Sequence, residues 1–104
     1  MININDLQKT KVNQLENKNQ FIIQYVCDGH TLLAFQSYTT LIAIWDYTTK
    51  ELYINWAMWD YSKTTLKHLK LFINRYTSYT YDNKHQFLKE IIKSDSNIIR
   101  FRSL

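Results

Sequence analysis

One glycine, no proline and one cysteine in 104 residues deny this chain the devices on which several functional classes depend. With only Gly29 available, a phosphate-cradling loop or a dinucleotide-binding turn cannot be built, because both need several glycines where backbone approaches phosphate. Cys27 has no partner for an internal disulfide, and in "YVCDGH" only His30 stands beside it, too little for a metal site. The richest apolar run, "TTLIAIW", falls far short of the roughly 20 residues of a membrane span, and the start "MININDLQKTK" has no apolar stretch of the secretory type. A soluble, cytoplasmic protein without cofactor or metal is expected. No stretch rich in glycine, proline or serine marks a linker, so residues 1–104 read as one domain, with 1–8 expected to be flexible.

What is present is aromatic and basic. Aromatic residues make up 15%, led by eight tyrosines and three tryptophans, enough to build a core and to argue against disorder. A net charge of +4 and a pI near 9.2 favour nucleic acid, nucleoprotein or acidic protein surfaces as partners and exclude a DNA mimic, which must be strongly acidic.

From Lys9 to about Asn55 the pattern is one of strands separated by short polar turns. "TKVNQL" and "QFIIQYV" flank "ENKN", whose asparagines tolerate a left-handed turn. Asp28-Gly29 separates "FIIQYVC" from "HTLLAFQ", a strong hairpin signal, since a type I′ turn needs positive φ at both central residues. "TLIAIWD" and "ELYINWA" form a further pair around "YTTK". From Ser62 the period changes to about 3.6, and Leu66, Leu69, Phe72, Ile73 and Tyr76 fall on one arc of a helix. A second helix is expected from Asn83 to Lys93, with Phe87, Leu88, Ile91 and Ile92 inward and Asp82 or Asn83 as cap. "NIIRFR" returns to strand spacing. The expected fold is α+β: an antiparallel meander of four or five strands, two helices packed on one face, and a short C-terminal strand.

The triplet Trp-Asp-Tyr occurs twice, in "WDYTTKEL" and "WDYSKTTLKHLK". At the first, Asp46 is placed to accept from backbone amides two residues on, as turn aspartates do. At the second, Ser62 is placed as an N-cap and Tyr61 as a hydrophobic staple on Leu66. The flanking strings share no period, which argues for two structural uses of one tripeptide.

The strings "NQFII", "FQSYTTLIA" and "WDYSKTTLKHLKLFI", in that order, resemble a family of small proteins carried by phages and other mobile elements of low-GC bacteria. The residues that carry the likeness are Ser37, Tyr38, Thr40, Ile42 and Ala43, then Tyr61, Ser62, Thr64, Thr65, Lys67, His68 and Leu69. The likeness runs from about Lys9 to the end and implies an origin, with action inside a bacterial host cell, but no established activity.

Three surfaces are candidates for function. Lys63, Lys67 and Lys70 align on one face of the first helix, with His68 and Arg75 on its flank and Leu71 expected to be exposed among them; no acid lies between Asp60 and Asp82. Tyr76, Tyr79 and Tyr81 follow, and aromatics beside cations are the components of single-strand nucleic-acid binding. On the sheet, strict alternation puts Ile42, Ile44, Leu52, Ile54 and Trp56 toward the helices, and Leu41, Ala43, Trp45 and Tyr53 on a face that two helices cannot also cover, so Trp45 and Tyr53 are a possible interface. His30, His68 and His85 are scattered and no carboxylate pair has catalytic spacing, so an enzyme is not expected. These features point to a small non-catalytic binding protein, and the resemblance to phage and mobile-element proteins implies that it inhibits a host macromolecule by surface occupation, with a defence nucleoprotein of the CRISPR-Cas type as the expected target. A nucleic-acid-binding accessory protein, contacting DNA or RNA, and a homodimeric scaffold are the alternatives.

Overall fold

The computed structural model describes residues 8–14, 18–92 and 97–102; 1–7, where flexibility is expected, lie outside them, as do the first two residues of "ENKN" and the end of the second helix. Strands β1 (Gln8–Gln14), β2 (Gln20–Cys27), β3 (His30–Ser37), β4 (Thr40–Asp46) and β5 (Glu51–Asn55) form an antiparallel meander in chain order. Helix α1 (Lys63–Tyr76) follows, then one turn of helix α2 (Lys84–Gln86) that widens into a π-helix over Phe87–Ile92. The chain returns as β6 (Ile98–Phe101), parallel to β5. The α+β class is as expected. The parallel return has a topological reason: the helices lie between β5 and β6, and a crossover of that length is what parallel neighbours require.

Local turn chemistry acts where the sequence places it. Asp28 and Gly29 have φ of 49° and 79°, both positive as a type I′ turn demands. The next hairpin is less ordinary, because Tyr38 adopts φ 55°, a region that costs a non-glycine residue about 1 kcal/mol. Two hydrogen bonds hold it there: Tyr38 N–H donates to the Asn19 carbonyl at 2.7 Å, and the Tyr38 carbonyl accepts from Gln36 Nε2 at 2.8 Å.

Two packed clusters occupy the two faces of the sheet. On the helix side, Phe35, Trp45, Leu52 and Ile54 meet Leu69, Phe72 and Ile73 of α1 and Phe87 of the π-helix, all nearly inaccessible to solvent. On the other side lie Ile23, Leu32, Ala34, Leu41, Ile44 and Tyr53, with Phe21 and Tyr25 of β2 and Ile99 and Phe101 of β6 packed against them. In a flat sheet β2 and β6, four strand spacings apart, would be separated by about 19 Å. Tyr25 of β2 and Arg102, just past β6, line one cavity of about 420 Å³ over this face.

The packing of Phe21, Tyr25, Ile99 and Phe101 on this face corrects the expectation of an uncovered aromatic face: Tyr53 does point away from the helices, but it is buried at 1% exposure. Trp45, also 1% exposed, is on the opposite side from the one expected. The cause is a β-bulge. Phe35 pairs with Ala43 and Gln36 with Leu41, leaving Ile42 as an extra residue in β4. Side chains beyond a bulge exchange faces, so Ile42, Ala43 and Trp45 face the helices while Leu41 and Ile44 face away. Neither Trp45 nor Tyr53 is presented to a second copy of the chain.

Candidate functional site

Helix α1 begins at Ser62, whose hydroxyl accepts from the Thr65 N–H at 3.1 Å and donates to Thr65 Oγ1 at 2.9 Å. Thr65 Oγ1 lies 3.3 Å from Ser37 Oγ, so the cap is tied to the end of β3. The start of the helix is thereby fixed against the sheet, and with it the direction each later side chain takes.

Thr65, His68, Leu69, Phe72 and Ile73 are the buried residues of α1. His68 is therefore not on the contact face where it was expected. It is 2% exposed and its Nδ1 is 2.8 Å from the Thr64 carbonyl, one turn back in its own helix. Leu71 is half-buried and packs against the helix-side core instead of standing free among the lysines. Lys63 and Lys67 are exposed, Lys70 is half-exposed, and none of the three has a carboxylate partner among the described residues. The helix contains no acid, so nothing within it offsets this charge. Arg75, in its last turn, is exposed as well.

The tyrosines after α1 are used for packing. Tyr76 is half-buried with its ring 5.8 Å from Phe72, and Tyr79 is half-buried with its ring edge-on to Trp45 at 6.0 Å. Tyr81 is 5% exposed, its ring 4.7 Å from Phe87. Its backbone is held by Asn74, which accepts from the Tyr81 N–H and donates to the Tyr81 carbonyl, each at 2.9 Å. Its hydroxyl has no hydrogen-bond partner among the described residues, and burial pushes the phenol well above its usual pKa. The stacking platform anticipated for nucleic acid is thus largely consumed by the core.

What the structure adds is a pocket of about 210 Å³ between α1 and the segment leading into α2. Trp59, Leu66 and Tyr81 are its apolar walls, and Lys67, Lys70 and Lys84 stand around it. Asn83 caps α2 by accepting from Gln86 N–H at 2.9 Å, which sets Lys84 at the pocket edge. Lys84 Nζ lies 3.0 Å from Asp60 Oδ2 and 5.4 Å from the Trp59 ring centre. Beside the pocket the aromatic contacts continue: Trp59 stacks on Trp56 at 5.7 Å, and Arg100 of β6 lies over the Trp56 ring at 4.4 Å. Each such cation over a ring contributes about 0.5–1 kcal/mol at partly exposed sites.

Sequence reasoning missed this pocket. Leu66, on the helical arc, reads as core but is only half-buried; it sits at the end of the arc, where the sheet no longer opposes it. Lys84 carries no signal of its own until the α2 turn brings it over Trp59. Arg100 meets Trp56 only because β6 runs parallel beside β5.

A separate polar centre ties β3 to β4. His30 Nδ1 is 2.7 Å from Asp46 Oδ2, while Asp46 Oδ1 accepts from Thr48 and Thr49 N–H at 2.9 and 3.2 Å, the turn role expected of it. Burial works to raise the Asp46 pKa, but the hydrogen bonds from His30 and the two amides outweigh it and hold the carboxyl below its ordinary value. Among the described residues no group of three His, Cys, Asp or Glu side chains could hold a metal, and no helix is long and apolar enough to cross a membrane.

Comparison with known proteins places the chain at the level of a family. No curated protein and no solved structure matches it. A family of unknown function, DUF8033, matches residues 5–91, well over half of the chain. The protein therefore belongs to that family.

Proposed function

We propose that this protein is a non-catalytic binding protein whose contact surface is the lysine face of α1 and the apolar pocket beside it, and whose partner is an acidic surface on another protein. The observation that carries this reading is a set of cations, Lys63, Lys67 and Lys70, without a carboxylate partner among the described residues, on a helix without a single acid and next to a cavity walled by Trp59, Leu66 and Tyr81. A merely solvated helix face ordinarily interleaves acids for i,i+4 pairing. The burial of Tyr81 and the packing of Tyr76 and Tyr79 favour a protein partner over single-stranded nucleic acid, which needs open rings to stack on. The resemblance to proteins of phages and mobile elements supports a more specific form, in which the acidic surface belongs to a cytoplasmic host defence nucleoprotein of the CRISPR-Cas type and occupation of that surface inhibits it.

The test is capture from a nuclease-treated host lysate by the wild-type protein and by Lys63→Glu/Lys67→Glu/Lys70→Glu. Lys63 and Lys67 are exposed and Lys70 is half-exposed, so the triple variant alters no core side chain. A protein partner retained by wild type and reduced at least tenfold with the variant is the expected result. Equal capture by the two, or recovery that vanishes with nuclease, would overturn it.

A further inference from the structure

We infer that the pocket between α1 and α2 receives one aromatic side chain from an acidic segment of the partner, the ring entering between Trp59, Leu66 and Tyr81 and the flanking carboxylates resting on Lys67 and Lys70. This rests on the lysine face being the contact surface and adds the anchor that would make such a contact specific. Size comes first. A cavity of about 150 Å³ is enough to hold benzene, so about 210 Å³ suits one substituted ring and excludes a folded element.

Chemistry comes second. Trp59 and Tyr81 are only 4% and 5% exposed, so they do not offer open faces, and Lys84, held by Asp60, already lies over Trp59. A nucleobase seeking an open face to stack on finds none, whereas a single side-chain ring entering the pocket is enclosed by apolar walls. Charge comes third, because Lys67 and Lys70 lack carboxylate partners among the described residues, and a neutral or basic segment would leave them so while losing their hydration. An aromatic anchor in a small pocket with a charged rim is also the usual anatomy of a binding hot spot.

The experiment uses isotope-labelled full-length protein and NMR titration with four probes: the blocked peptide Glu-Asp-Phe-Asp-Glu, the same peptide with alanine at its centre, Lys-Lys-Phe-Lys-Lys, and a short single-stranded oligodeoxythymidine. The acidic phenylalanine peptide should shift the Trp59 indole N–H and the Leu66 methyls and bind about tenfold or more tightly than its alanine counterpart, the scale expected for burying one ring. Leu66→Trp, which fills the pocket, should remove that advantage without weakening the alanine peptide; Lys67→Glu, at an exposed position, should weaken both acidic peptides and serves if Leu66→Trp does not fold. Equal binding of the two acidic peptides, with shifts confined to Lys63, Lys67 and Lys70, would overturn the pocket while leaving the lysine face standing. Failure of every acidic peptide to shift Trp59, or a larger shift there from the basic peptide or the oligonucleotide, would also overturn it.

Discussion

Removing the Asp46 carboxylate should destabilise the fold by an amount and with a pH dependence that both follow from its contacts. In Asp46→Ala, the His30 ring loses a charge-assisted hydrogen bond of 2.7 Å and the Thr48 and Thr49 amides lose their acceptor. A hydrogen bond to a buried charge contributes about 1.5–3 kcal/mol net. The two amides belong to exposed turn residues that water can reach, and they add about 1 kcal/mol. The expected loss is about 3 kcal/mol, which lowers the melting temperature of a domain this size by roughly 12–24 °C.

The sign of the pH effect is set by the depressed pKa. A carboxyl held lower in the folded state than in the unfolded one contributes stability that is fully present above its unfolded value, about 3.9, and fades as pH falls through the folded value. Urea unfolding at pH 7 and at steps down to pH 3 measures this directly, with Asp46→Asn as the variant that keeps the shape and loses the charge. The stability gap between wild type and Asp46→Asn should narrow as pH drops. A gap that stays constant, or an Asp46→Ala cost below about 0.5 kcal/mol, the scale of an ordinary surface substitution, would refute the assignment of Asp46 as a buried ionised anchor.

Ser62→Ala removes both the cap on Thr65 N–H and a hydrogen bond to the buried Thr65 hydroxyl, and should cost about 1–2 kcal/mol in denaturant unfolding, with less change if threonine is substituted instead. Tyr81→Phe deletes a buried hydroxyl without a partner among the described residues while keeping the ring on Phe87, and should stabilise the protein by about 1 kcal/mol; destabilisation would mean that the hydroxyl is satisfied by bound water.

Features that close within a few residues were legible in the sequence alone. The Asp28-Gly29 turn, the Asp46 turn, the Ser62 cap, the change of period at α1 and a cap at Asp82 or Asn83, which the structure assigns to Asn83, each depend on residues close in the chain, so composition and spacing suffice. Lys63 and Lys67 were legible as exposed for a similar reason: a charged side chain on a helix stays in water unless something pairs it.

Only the tertiary structure decided the remainder. Strand faces are a matter of parity, and one extra residue at Ile42 moved Trp45 to the helix side while Leu52 and Tyr53, on an unbulged strand, kept the expected sides. The burial of His68 depends on what opposes that position of α1, and the burial of Tyr53 depends on side chains from β2 and β6 at once. The pocket exists because Leu66, Tyr81 and Lys84, 18 positions apart at the extremes, meet around Trp59, a convergence that no local pattern encodes. The sequence by itself determined where the chain turns, caps and changes period; packing determined which of its lysines and aromatic rings remain at the surface.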